Sequence, residues 1–310
     1  MFKNLTPYRL ELTRPLAGTC LDRRDHLQEL LSLQTFAPTA PTQELSAGWI
    51  APDKDQPDLL ANRINGELLA CLQIETRRVP AQAIAEHVEA AAQHIERDTG
   101  RKPGAKRCKE LKEEACLTLL PRAFPRRKRI NVWLSSKLGM LIIGSTSASD
   151  CDTVLTALVR SIGAPEDSGV SIQPLLTDME PDVWMTYAVQ MRNAGRFELE
   201  DTLCEMRDTD PIGTSEAITY KKIWTEADDL RDRAARLTVT RLSMSYQDRV
   251  ILTLTDRLQL RNVDLLGEPP ADAHQRADTG YGVDAFLWTA ELTPVLQALL
   301  DELTTTEQPA

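Results

Sequence analysis

Residues 237–266 read LTVTRLSMSYQDRVILTLTDRLQLRNVDLL. Apolar side chains recur at every second position through most of this stretch: Leu242, Met244 and Tyr246, then Val250, Leu252 and Leu254, then Leu258 and Leu260. A period of two belongs to a strand with one face toward a core. The polar pair Gln247-Asp248 interrupts the pattern as a turn. The stretch predicts a meander of three strands, and strands joined by short turns run antiparallel.

The neighbouring segments mix both periods. Upstream, residues 183–191 predict a helix, 196–207 and 216–224 extended chain, and 228–236 a short charged helix. Downstream, 284–290 predict a strand and 291–303 a closing helix. Further back, 5–13 and 67–78 predict strands, with a helix over Leu21–Leu33 and a proline-rich loop around Gly48-Trp49-Ile50. Short strands are expected at 130–135 and 140–145, and an amphipathic helix at 149–162 stopped by Gly163. Elements in this order do not repeat a βα unit, so the expected fold class is α+β.

Between the strand at 67–78 and the one at 130–135 lies a pair of helices. Pro80 marks the start of the first, and its stripe is Ile84, Val88, Ala91 and Ile95; Gly100 ends it. Pro103 precedes the second, whose stripe is Cys108, Leu111, Ala115 and Leu119 and whose polar face carries Lys102, Lys106, Lys109 and Lys112. A helix-turn-helix reader is conceivable, and the joint at 98–102 serves a plain helical hairpin, the reading preferred here. Residues 122–128 then predict a loop.

Charge is concentrated at this place. The chain of 310 residues has a net charge of -10, yet Arg101–Arg129 hold eleven basic residues against Glu110, Glu113 and Glu114. That segment is +8, which leaves -18 for the rest. An acidic body with one basic segment can confine an anionic polymer to one surface. A solvated helix face followed by a basic loop would give the same pattern, so charge alone leaves both readings open.

Several chemistries find no support. No phosphate loop, dinucleotide fingerprint, nucleophile elbow or H-E-x-x-H pattern occurs. The six cysteines lie far apart without a C-x-x-C, which predicts reduced and mostly buried thiols. His87 and His94 have no partner at zinc-finger spacing, and no metal or cofactor is expected. With only fifteen aromatic residues, base-stacking modules are not indicated. The clusters Glu198/Glu200/Asp201 and Asp228/Asp229/Asp232 leave one enzymatic alternative, a metal-dependent nuclease. The opening MFKNLTPYRLELTRPL lacks an apolar core of signal length, and no run reaches the ~20 apolar residues of a membrane span. A soluble, cytoplasmic protein without a membrane partner is expected.

Particular residues resemble a known family. Phe2-Lys3-Asn4-Leu5 with Tyr8-Arg9-Leu10, Gly48-Trp49 followed by Pro52, Leu119-Leu120-Pro121-Arg122-Ala123-Phe124 and the strand pair carrying Trp133 all look like the RdgC family. Glu180-Pro181-x-x-Trp184-Met185, Phe197-x-Leu199 and the ending from Asp284-Ala285-Phe286-Leu287 through Leu300 continue the match in order. The resemblance implies a non-enzymatic, nucleoid-associated protein that encircles double-stranded DNA without sequence preference and limits access of the recombinase RecA. It also implies a horseshoe-shaped subunit with central, helical tip and base regions, closing into a ring as a homodimer. Here the central region would be 1–78 and 122–175, the tip 79–121 and the base 176–310. Arg122 and Phe124 match family residues near the tip contact, and Lys222, preceded by Lys221, matches a lysine of the inner wall. Ile223 stands where the family has a glutamine. With these, the neighbouring Arg126, Arg127, Lys128 and Arg129 and the helical Lys106 and Lys109 are the expected DNA contacts.

Overall fold

The computed structural model describes residues 1–208, 217–222, 230–267 and 280–304. Its helices are α1 (Arg24–Ser32), α2 (Ala81–Thr99), α3 (Ala105–Leu119), α4 (Ala148–Ile162), α5 (Pro165–Ser168), α6 (Pro181–Met191), α7 (Leu230–Ala234) and α8 (Gly280–Thr304). Strands β1 (Thr6–Leu12), β2 (Leu45–Ile50), β3 (Ala61–Ile64), β4 (Glu67–Arg77), β5 (Pro125–Ser135), β6 (Met140–Ile143) and β7 (Val170–Pro174) form the first sheet. Its order is β2-β4-β5-β6-β1-β7, with β3 also paired to β4. The second sheet holds β8 (Glu198–Arg207), β9 (Ala217–Tyr220), β10 (Thr238–Tyr246), β11 (Val250–Thr255) and β12 (Leu260–Leu265), in the order β12-β11-β10-β8-β9. All strand pairs in these sheets are antiparallel, so the fold is a mixture of helices and antiparallel sheet.

The expected meander is β10-β11-β12. Its first turn holds Gln247 and Asp248 at φ 52 and 54, the left-handed pair that matches the twist of a two-residue hairpin. Alternation then divides the first sheet between two cores. Leu68, Ala70, Leu72, Ile130, Val132 and Leu134 bury against α1 and α4 through Leu27, Leu31, Val154 and Leu158. The opposite side chains Leu69, Trp133, Met140 and Ile142 share a core with Leu242, Leu252 and Leu254 of the second sheet and with α6 and α8. The amino-terminal segment stitches the sheets together. Leu5 and Leu260 exchange backbone hydrogen bonds of 2.8 and 3.0 Å, and the Val263 N–H donates to the Lys3 carbonyl at 2.9 Å.

Four expectations need correction. The strand expected at 284–290 is part of α8, whose buried Ala285, Thr289, Leu292, Leu296, Leu299 and Leu303 recur at helical steps even with Pro294 inside. The loop expected at 122–128 is already strand from Pro125 onward; a proline is tolerated as the first residue of an edge strand. Gly48-Trp49-Ile50 lie in β2, where a Cβ on Gly48 would come within 2.4 Å of the Phe36 Cα. Strands β3 and β7 were not expected at all. The β3-β4 hairpin turns on Asn65-Gly66, at φ 52 and 83, an Asn-Gly signal that the sequence displays openly.

Candidate nucleic-acid interface

The basic segment is built from the α2-α3 hairpin and the outer half of β5. Gly100 caps α2 at φ 71, and the chain turns back into α3. The expected stripes face each other, but only Leu111 and Ala115 are fully buried and α2 buries nothing completely. The hairpin is therefore a lightly packed arm. Its exit is firmly held: Leu120 is buried, and Arg77 of β4 donates to the Ala123 carbonyl at 3.1 Å. Immediately beyond stands Phe124, 91% exposed.

From Pro125 to Ile130, β5 pairs with β4 on one side only; on the other side the Gly144 N–H reaches the Asn131 carbonyl at 2.8 Å and β6 pairs from Val132. The other side of this half is a sheet edge, and charged side chains with a leading proline suit an edge that must not pair. Strand alternation also divides the expected cations. Arg126 and Lys128 share the face of Ile130, and Arg127 and Arg129 share the face of Trp133. The four expected contacts therefore do not form one patch.

Three of the four are already engaged. Arg127 Nε donates to Glu75 Oε2 at 2.6 Å, and its guanidinium lies 5.7 Å from the centre of the Phe36 ring. The other Glu75 oxygen accepts from the Thr39 N–H at 2.8 Å and from the Thr39 hydroxyl at 2.5 Å. These donors, Thr39 first and Arg127 next, hold the Glu75 carboxyl down at about 2. Lys128 pairs with Asp150 at the start of α4, which also accepts from Ser145 Oγ at 2.8 Å. Arg129 donates to the carbonyls of Ala51 and Pro52 at 2.8 and 3.0 Å.

Arg122 and Arg126, by contrast, are exposed and have no acceptor among the described residues. They flank Phe124, and Lys106 and Lys109 are exposed on α3. Arg107 ties up two of the three local carboxylates, Glu110 at 2.9 Å and Glu114 at 3.0 Å, which unmasks the neighbouring lysines. Lys221 and Lys222 sit elsewhere: they follow β9 at the edge of the second sheet, both exposed, with Lys222 at φ 63. Ile223 lies outside the described residues.

The acidic clusters show no metal site among the described residues. Glu198, Glu200 and Asp201 lie on β8, where the pairing with β10 shifts register between Leu199 and Cys204. Asp228 and Asp229 lie outside the described residues, whereas Asp232 is in α7. Among the described residues no three His, Cys, Asp or Glu side chains are grouped to hold a metal ion. All six cysteines are free thiols, four of them buried; burial pushes Cys20 up to about 11 and Cys204 to about 12. No helix among the described residues is long and apolar enough to cross a membrane. One basic grouping escaped the sequence reading entirely. Arg207, Arg241, Arg257 and Arg261 line a single cavity on the second sheet.

Fold and surface together define a class: a two-sheet α+β protein with an acidic body, from which a basic strand edge and helical arm project. A family model described as "Putative exonuclease, RdgC" matches residues 1–306. A relative from Bordetella pertussis, named "Recombination-associated protein RdgC", is 31% identical over 310 residues, covering 97% of each chain. Relatives of the same name from Herminiimonas arsenicoxydans and Burkholderia cenocepacia are each 30% identical, covering 97% of this chain and 97% and 95% of their own. The chain belongs to the RdgC family.

Proposed function

We propose that this protein binds double-stranded DNA without sequence preference, through phosphate contacts, and acts in recombination without being an enzyme. The observation that carries this reading is the exposed group Arg122, Phe124 and Arg126 at the root of a lysine-bearing helical arm, in a chain of net charge -10. Free guanidinium groups beside an exposed ring offer charge to phosphates and an apolar surface to the sugar or base edges. The relatives' association with recombination supports the same substrate.

The subunit assembles as a homodimer that closes around the duplex, and DNA so covered is withheld from RecA, most directly in the nucleoid of the cytoplasm. The division into a central region, a tip at 79–121 and a base from 176 belongs to this reading. Support for assembly comes from α2, whose stripe Ile84, Val88, Ala91 and Ile95 is only half-buried in the subunit. A two-fold partner presenting the same arm would cover it. Lys106, Lys109, Lys221 and Lys222 then add phosphate contacts.

The test is a titration of fluorescent duplexes of two unrelated sequences between 50 and 200 mM salt, with the mass measured by light scattering. About 6–10 neutralised phosphates would cost ~10³–10⁵ in affinity over that range. Equal affinity for both sequences, a steep salt dependence and a dimer mass are expected. A flat response, a strong sequence preference or a monomer at micromolar concentration contradicts the reading. Nicking of supercoiled DNA in Mg²⁺ or Mn²⁺ that is lost on replacing Asp228 and Asp229 would favour the nuclease instead.

A further inference from the structure

The second sheet carries a basic site of its own, far in sequence from the tip. A cavity of about 250 Å³ is lined by Arg207 of β8, Arg241 of β10, Arg257 of the β11-β12 turn and Arg261 of β12. Four guanidinium groups in one wall of an acidic protein repel each other unless something anionic answers them. Part of the answer is internal. Buried Glu205 accepts from Arg207 Nε and Nη2 at 3.1 and 2.7 Å, and from Arg241 Nη1 at 3.1 Å. One carboxylate thus fixes two guanidinium groups side by side and leaves further N–H donors on both.

Arg257 and Arg261 have no carboxylate partner among the described residues. Asp256 is the one acidic wall residue among the described residues, against four arginines. Arg261 is the more telling. Its Nε is buried with no hydrogen-bond partner, and its Nη2 reaches only the Gln259 oxygen at 3.4 Å. A buried charged donor without an acceptor is destabilising, so its presence beside a polar cavity points to an acceptor that arrives from outside.

The cavity also has a neighbour. Gln259 Nε2 donates to the Thr146 carbonyl at 3.2 Å, in the loop between β6 and α4. The adjoining Ser145 bonds Asp150, and Asp150 pairs with Lys128 of the basic strand edge. The loop therefore meets the cavity directly through Thr146 and the basic strand only by way of Asp150.

From this geometry we infer that the four-arginine cavity is a phosphate-binding notch that takes a backbone phosphodiester of duplex DNA, a second anchor in addition to the tip. The inference rests on the DNA-binding reading above and adds residues to it. Arg257 and Arg261 supply the donors, and Glu205 positions Arg207 and Arg241.

The test uses the full chain and the variant R257Q/R261Q, which keeps the Glu205 pairs. For a labelled duplex at 50 mM salt we expect roughly tenfold weaker binding and a salt slope smaller by about 0.9, the loss of one phosphate contact. Inorganic phosphate should raise the Tm of the parent and not of the variant, because a ligand stabilises only the state that binds it. Should the variant not fold, the parent decides: bound duplex should protect Arg257 from phenylglyoxal, read by mass spectrometry. Parent-like affinity and slope in a folded variant, or an Arg257 that stays reactive on DNA, overturns the inference. A phosphate shift in Tm without any effect on duplex binding assigns the notch to a free phosphate compound and also overturns it. A parent that binds no duplex even at 50 mM salt would instead sink the DNA-binding reading, and this anchor with it.

Discussion

Replacing Arg122 and Arg126 by glutamine separates free charge from engaged charge at the basic edge. Both side chains are exposed, with no acceptor among the described residues. Each therefore offers a full charge to one phosphate, and removing two contacts should lower the salt slope by ~1.8. Across the fourfold rise from 50 to 200 mM salt, the parent should lose about twelvefold more affinity than R122Q/R126Q does. Anisotropy of a labelled duplex at five or six salt concentrations measures that difference directly. Thermal unfolding should not move, since no internal contact is lost. The matching variant R127Q/K128Q removes the same formal charge from residues that already face Glu75 and Asp150. Its slope should change by less, and its Tm should fall because two carboxylates lose their partners. Equal slopes for the two variants would refute the argument that internal pairing decides which cations reach phosphate. A parent-like slope in R122Q/R126Q would remove the tip from the DNA path altogether.

Glu75, held at about 2, contributes stability that is complete above the ordinary carboxylate range. That contribution is lost as pH falls from about 4.5 toward about 2, so the Tm gap between the parent and E75Q should close over that window. Gly48→Ala would drive a Cβ to 2.4 Å from backbone of Phe36. Denaturant titration should show a loss of roughly 1–3 kcal/mol. Leu111→Ala removes the largest fully buried side chain of the α2-α3 arm, at ~2–4 kcal/mol for a buried leucine. Amide exchange should then accelerate in both helices while β4 and β6 stay protected; uniform acceleration would mean that the arm is not a separable unit.

The meander was legible because Leu242, Met244, Leu252 and Leu254 alternate without interruption and a polar pair marks the turn. The arm was legible from two stripes and Gly100. The start of the last helix was not, although its second half was, because Asp284–Trp288 packs aromatic and apolar residues densely enough to mimic a strand. Only burial against the second sheet settles its period. The opening of β5 was hidden by Pro121 and Pro125, which read as loop punctuation. That error mattered for the site: once Arg126–Arg129 is a strand, alternation alone separates its cations onto two faces. The arginine notch was beyond any local reading. Its residues span 207–261 and meet only because β8, β10, β11 and β12 pair in one particular register.

The bond between Leu5 and Leu260 sets a schedule for the newborn chain. Leu5 is fully buried in a core shared with the second sheet, yet its bonded partner Leu260 leaves the ribosome roughly 250 residues later. At about 5–20 residues per second, that is a wait of ~12–50 s with the first residues uncovered. Trp133, Met140 and Ile142 wait for the same surface. A fragment ending near residue 175 would keep them exposed permanently, so the two halves should fail to express as separate soluble pieces. Mixed together during synthesis, they should rescue each other.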